Sequence, residues 1–251
     1  MKKILVPSLM ALALGSVSGL AQAQTATPES SLSFNVGVTS DYRYRGISQS
    51  RLQPALQGGV DYADKSGFYV GAWGSTIKFI KDSGASKGNV ELDLYGGYKG
   101  TVGAVAYDVG FLRYEYVGNT YKDAGYVNAN TDEAYGAVTA GPATLKYSYA
   151  FSDLFGNVNS KGSTYWDLSA TFDLGSGYSL VPHVGRQTVK NSPGITYNDF
   201  ALTLNKDLGD GLSASVAAIA TTGNETNFKA LSSTSYVASK NALVVGVKYS
   251  F

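Results

Sequence analysis

The last nine residues, Leu243 to Phe251, alternate strictly between apolar and small or polar side chains and stop on an aromatic. Successive side chains of a strand point to opposite faces. Leu243, Val245, Val247, Tyr249 and Phe251 therefore make one apolar stripe, and Val244, Gly246, Lys248 and Ser250 make a mostly small or polar face. A lysine in mid-strand cannot face lipid, and a soluble core gives no reason for the final side chain to complete an apolar stripe. A wall that is oily outside and wet inside asks for both features.

The other end points the same way. Met1, Lys2 and Lys3 give a positive start, Ile4 to Leu20 are largely apolar, and Ala21, Gln22 and Ala23 supply the small-x-small pattern of a signal peptidase site. The expected organisation is a cleaved signal peptide over 1–23, a short periplasmic segment over 24–31 and a barrel over 32–251. Losing Lys2 and Lys3 turns the formal charge of +1 slightly negative, which gives no reason to expect nucleic acid. No later run approaches the roughly 18 to 20 apolar residues of a spanning helix, which excludes a helical membrane protein. With no cysteine the fold must do without disulfides, and 30 glycines beside 19 tyrosines suit close strands and wetted aromatic belts.

Period-two alternation divides the remaining chain into about twelve segments of the length that crosses a bilayer when tilted. In the clearest, Phe34, Val36 and Val38 oppose Asn35, Gly37 and Thr39, and Val90, Leu92 and Leu94 oppose Glu91, Asp93 and Tyr95. Others are Leu145 to Phe151, Trp166 to Phe172 and Phe200 to Leu204, with weaker ones around 56–62, 68–75, 105–116, 133–140, 178–188 and 212–221. Between Asp108 and Arg113 the polar positions change parity, as a β-bulge or emergence from the membrane would produce. Short connections (63–67, 100–103, 141–142, 175–177, 207–211) alternate with longer ones (46–54, 76–88, 117–132, 152–162, 189–195, 222–241). The expected fold is an all-β, transmembrane, antiparallel up-and-down barrel of about twelve strands, with short periplasmic turns and longer extracellular loops.

Inward parity assigns Asp61, Glu91, Asp93, Asp108, Asp167, Asp173 and Asp199, with Lys99, Lys146 and Lys248, to the lumen. If Ser40 to Ser50 continues the first strand, Tyr42 and Tyr44 lie on the lipid side, and Asp41, Arg43 and Arg45 point inward near the extracellular mouth. Two guanidinium groups there would orient an anionic solute; alternatively they pair with Asp61, Glu91 or Asp93. Charges segregated to opposite walls would leave a water-filled pore with a transverse field, whereas interleaved charges would make a salt-bridged plug. His183, the only histidine, falls on the inward face with no nucleophilic serine signature near it. There is no metal-ligand cluster, phosphate-binding glycine loop or cofactor motif, so no catalytic residue, metal or cofactor is expected.

Ser40 to Ser50 (SDYRYRGISQS), with Gly67 to Ser75 (GFYVGAWGS), Glu91 to Tyr98 (ELDLYGGY) and Tyr107 to Gly110 (YDVG), resembles the TorF family of porins of Gram-negative bacteria over nearly the whole mature chain. The resemblance implies an outer-membrane channel and supplies no catalytic residue. The terminal stripe Leu243, Val245, Val247, Tyr249 and Phe251 likewise resembles the signal read by the barrel assembly machinery. The expected function is passive diffusion of small hydrophilic solutes or ions past Arg43, Arg45, Asp61, Glu91, Asp93, Asp108, Lys146, Asp167, Asp199 and Lys248. The alternatives are a closed structural or adhesive barrel and, less favoured, an outer-membrane hydrolase using His183. The expected partners are membrane lipids, the assembly machinery and the solute; the sequence leaves the oligomeric state open.

Overall fold

A computed structural model describes residues 30–229 and 236–251. The expected signal peptide, and the segment after it up to residue 29, lie outside the described residues. The membrane wall is built from β1 (Ser31–Thr39), β4 (Ala55–Ala63), β5 (Phe68–Thr76), β6 (Val90–Val102), β7 (Val105–Tyr116), β8 (Thr131–Ala140), β9 (Ala143–Ala150), β10 (Thr164–Ala170), β11 (Phe172–Gly175), β12 (Tyr178–Thr188), β13 (Tyr197–Gly209), β14 (Leu212–Thr221) and β15 (Ala242–Ser250). Each pairs antiparallel with its sequence neighbour, except that β10 and β11 both ladder to β12 and are two halves of one strand interrupted at Thr171. The result is a closed barrel of twelve spanning strands. No described helix is long and apolar enough to cross a membrane.

Closure comes from β1 meeting β15, Asn35 opposite Ser250 through Thr39 opposite Gly246. Beyond the ladder, the Phe34 N–H donates to the Phe251 carbonyl at 2.8 Å and the Phe251 N–H returns the bond at 2.9 Å. Their rings stack at 5.7 Å. The last residue therefore completes the seam with its backbone as well as its side chain.

Alternation decides which side chains meet lipid. Leu32, Val70 and Leu243 are 59%, 59% and 70% exposed, as are lesser members of the same outward stripes. Outward aromatics gather toward each rim: Phe68 against Tyr98 at 5.0 Å near one, Phe111 against Phe151 at 5.4 Å near the other. The parity change in β7 is no bulge, since its ladders to β6 and β8 run in register from Val105 to Tyr114. Arg113 and Glu115 instead face outward at the rim, where Arg113 contacts Glu115 at 2.8 Å and Asp132 at 3.0 Å.

Short turns occupy one end. Ser176–Gly177 and Asp210–Gly211 take φ of 53° and 77°, and 50° and 82°, the paired left-handed conformation that matches the twist of two-residue hairpins. The last of these turns is tighter than expected because β13 continues to Gly209. In the turn after β4, the Ser66 hydroxyl and N–H and the Ser30 hydroxyl donate to Asp64 and hold its carboxyl down at about 2.

The long-loop end departs from expectation. The first strand stops at Thr39, and the chain turns into the barrel as a small hairpin, β2 (Arg43–Tyr44) with β3 (Ile47–Ser48). Tyr42 and Tyr44 therefore do not face lipid. Tyr42 is 2% exposed and packs edge-on to Trp73 at 5.4 Å, and Tyr44 packs on Tyr114 and Phe155. The next loop, carrying the single helical turn α1 (Phe79–Asp82), adds Ile77 and Ile80, and the loop after β7 adds Tyr121. These residues join Leu112, Tyr114 and Tyr116 in an apolar cluster that fills part of the long-loop half of the lumen.

Two outcomes follow from this wall. Leu202→Arg, on the outward face of β13, should cost about 2–4 kcal/mol in a denaturant refolding titration, while Ser215→Asn on the inward face of β14 should leave the midpoint nearly unchanged. Deleting Phe251 should lower the temperature at which the barrel loses its compact mobility on an unboiled gel, and Phe251→Tyr should restore it.

Candidate functional site

The inward hairpin reaches strands around most of the wall. The Tyr42 hydroxyl donates to Glu91 on β6 at 3.1 Å, and the Tyr44 hydroxyl bonds that of Tyr114 on β7. Arg45 extends furthest. Its guanidinium forks onto both Glu133 oxygens on β8, at 3.1 and 2.7 Å, and donates to Gln187 Oε1 on β12 at 2.6 Å. It also lies over the Tyr165 ring of β10 at 4.2 Å. This reach requires a left-handed backbone, φ +46° at Arg45 and +78° at Gly46, which costs an arginine on the order of 1 kcal/mol. Gly46 suits the position for a second reason: a β-carbon there would fall 2.6 Å from Thr221 and 2.8 Å from Asp199.

Arg43 holds the base of the hairpin. It contacts Asp41 at 2.5 Å and donates to the carbonyls of Gly46, Ala238 and Lys240 at 3.0, 3.2 and 2.7 Å, tying the first loop to the last. Asp41 also accepts from Ser48 and Ser50 at 2.6 and 3.1 Å. The two arginines are thus neither free rim charges nor partners of Asp61, Glu91 or Asp93: their carboxylates are Asp41 and Glu133. Glu133 was missed as a lumen residue, although Ala134 and Val138 pointing outward on the same strand mark it as inward.

The other expected lumen residues face inward in separate groups. Asp61 accepts from the Tyr95 hydroxyl at 2.5 Å, and Asp108 from Tyr69 at 2.6 Å with Lys99 at 3.9 Å. The Lys146 ammonium sits over the Tyr135 ring at 4.0 Å. His183 lies between two carboxylates, its Nε2 3.1 Å from Asp167 and its Nδ1 3.5 Å from Asp199. Tyr165 donates to both Asp199 oxygens at 3.0 Å, and a β-carbon on Gly185 would collide with the Tyr165 hydroxyl at 2.0 Å. Asp173 is exposed at the short-turn rim. Glu91 and Asp93 are 1% and 0% exposed, and neither Asp93 oxygen has a hydrogen-bond partner among the described residues.

One sector of the lumen stays open. Beside the seam, Asn35, Gly37, Gln57, Thr203, Asn205, Ser215, Gly246 and Lys248 line a cavity of about 340 Å³ that runs from Asp41–Arg43 to the Gly175–Tyr178 turn. Its middle is lined mainly by small and uncharged side chains with Lys248 among them, and charged residues stand at both ends: Asp41 and Arg43 at one, Asp173, Lys206 and Asp207 at the other. Charges and aromatics crowd the opposite sector. Among the described residues no group of three or more His, Cys, Asp or Glu side chains is arranged to hold a metal ion.

Removing Arg45 takes from the buried Glu133 carboxylate its directly paired cation. Arg45→Ala should therefore destabilise the barrel by about 3–5 kcal/mol in urea, against about 1–3 kcal/mol for Tyr42→Phe, which loses one hydrogen bond.

A search of curated proteins found no match. Among solved structures the fold is similar to a KdgM porin in complex with disordered oligogalacturonate, at 10% identity and a TM-score of 0.55, covering 88% of this chain and 99% of that one. It is also similar to a NanC porin, at 12% identity and a TM-score of 0.56, covering 87% and 99%. At such identity the likeness is one of architecture. Residues 22–251 match the family described as "Bacterial protein of unknown function (Gcw_chp)", and the chain belongs to that family.

Proposed function

We propose that this protein is an outer-membrane channel through which small hydrophilic solutes or ions diffuse passively, with the inward hairpin as its constriction. In this reading the short turns lie in the periplasm and the long loops outside the cell. The chain arrives by export behind the 1–23 leader and is inserted by the barrel assembly machinery, which reads Leu243, Val245, Val247, Tyr249 and Phe251. The observation that carries the channel reading is the cavity beside the seam, which extends from Arg43 to the short-turn rim. The fold shared with KdgM and NanC porins and the resemblance of Ser40 to Ser50 to the TorF family support it.

No chemistry is required of such a channel. Lumen groups replace part of a solute's hydration, and fixed charges set ion preference. Asp41 and Arg43 at one end, Lys248 along the wall, and Asp173, Lys206 and Asp207 at the other end are the charges a solute meets along the open sector, while Asp61, Glu91, Asp93, Asp108, Lys146, Asp167 and Asp199 add to the field of the lumen. A hydrolase finds less support, because the hydrogen bonds of His183 among the described residues go to Tyr165 and Asp167 and not to a serine.

The closed structural barrel has one observation in its favour: the hairpin touches β5, β6, β7, β8, β10 and β12 at once. Planar-bilayer recording separates the readings. The channel predicts discrete conductance steps, larger and shifted toward cation preference in the Arg43→Ala, Arg45→Ala double variant. A bilayer that stays sealed at high protein load for both proteins overturns the channel.

A further inference from the structure

We propose that the constriction wall carries a recognition site for a guanidinium cation, and that Arg45 occupies it as a tethered stand-in for a diffusing solute. The inference rests on the channel reading only in requiring that such a solute can enter the lumen.

Three strands of the wall build the site without help from the hairpin. Glu133 offers both carboxylate oxygens to the fork, Gln187 offers its amide oxygen, and Tyr165 offers a ring face. Each is held by a further contact that does not involve Arg45. The Tyr114 hydroxyl donates to Glu133 Oε2 at 3.2 Å, and the Gln187 amide nitrogen donates to the Thr164 carbonyl at 3.0 Å, which turns its oxygen to the lumen. Tyr165 is anchored through Asp199. All three recognition groups are nearly inaccessible to water, with Glu133, Gln187 and Tyr165 at 2%, 3% and 5% exposure. A site whose parts are held in place separately keeps its shape when the occupant leaves.

The partner chemistry follows from that shape. A bidentate carboxylate with an in-plane acceptor and an aromatic face matches a planar, delocalised cation with several donors, and matches a compact ammonium poorly. The surroundings carry both signs, with Glu91 and Asp93 buried on β6 and the Lys146 ammonium over the Tyr135 ring. The left-handed backbone at Arg45 shows which side adapts: the hairpin bends to deliver the guanidinium to the wall. Because a short tether supplies its group at an effective concentration on the order of millimolar, a free solute competes weakly in the wild type and better once Arg45 is gone.

Methylguanidinium titrated calorimetrically into the full barrel refolded in detergent micelles tests the site, with methylammonium at equal ionic strength as the control. Arg45→Ala should bind methylguanidinium saturably and more tightly than the wild type, and adding Glu133→Gln should weaken that binding by about 10- to 100-fold. Equal binding by the single and double variants, or methylammonium binding as tight as methylguanidinium, overturns the proposal. If Arg45→Ala does not refold, Arg45→Lys replaces it, keeping the charge without the planar fork, and the same comparison with and without Glu133→Gln decides. Bilayer recording keeps the two readings apart. Saturable, Glu133-dependent binding in a protein that never conducts upholds the site and removes the channel; conductance without such binding does the reverse.

Discussion

Inside a hydrocarbon layer no water is available to backbone amides and carbonyls, so every spanning strand needs a neighbour on both sides. That constraint governs the rest of the molecule. The meeting of β1 and β15, extended by the reciprocal bonds between Phe34 and Phe251, turns an open meander into a wall without edges. Once the wall is closed, its outward face has to be apolar and its inward face is released from that requirement. The alternation of Val36 and Gly37, or of Val247 and Lys248, is the chemical trace of this division.

The released interior is used unequally. Away from the seam, in the long-loop half, the interior is filled by Tyr42, Trp73, Leu112, Tyr114 and Tyr116 with loop residues Ile77 and Ile80, a compact apolar body enclosed by the barrel. Beside the seam, Gly37, Ser215 and Gly246 on adjacent strands project little into the lumen, which stays open there. Between the two sectors lies a set of charges that would be costly to bury alone. Arg43 with Asp41 and Arg45 with Glu133 answer that cost by pairing, and the pairing in turn fixes the hairpin's position.

The wall was legible in the sequence because lipid imposes a period-two rule on every strand. The extents of β7, β12 and β14 agree with the alternation residue for residue. Parity failed at Ser40 to Arg45 for a physical reason. Tyrosine alternating with charge satisfies a strand at the membrane rim, and equally a hairpin turned into a lumen where the tyrosines pack on aromatics and the charges find partners. What separates the two is the left-handed pair Arg45–Gly46 and contacts with residues 88 and 142 positions away in sequence. Glu133 escaped notice because its role depends on an arginine that local patterning could not bring to it. The apolar body formed by the loops was hidden for the same reason, since Ile77, Ile80 and Tyr121 carry no periodic signature.

The bonds from Arg43 to the carbonyls of Ala238 and Lys240 have a temporal consequence. Residues near the start of the chain are locked by residues near its end, so the hairpin cannot dock in its final place until the last loop has formed and the sheet has joined head to tail. A half-inserted chain would lack the docked hairpin, and the hairpin and the wall would reach completion in a single concerted step. The lumen would accordingly take its final, narrower form only when the first and last strands meet.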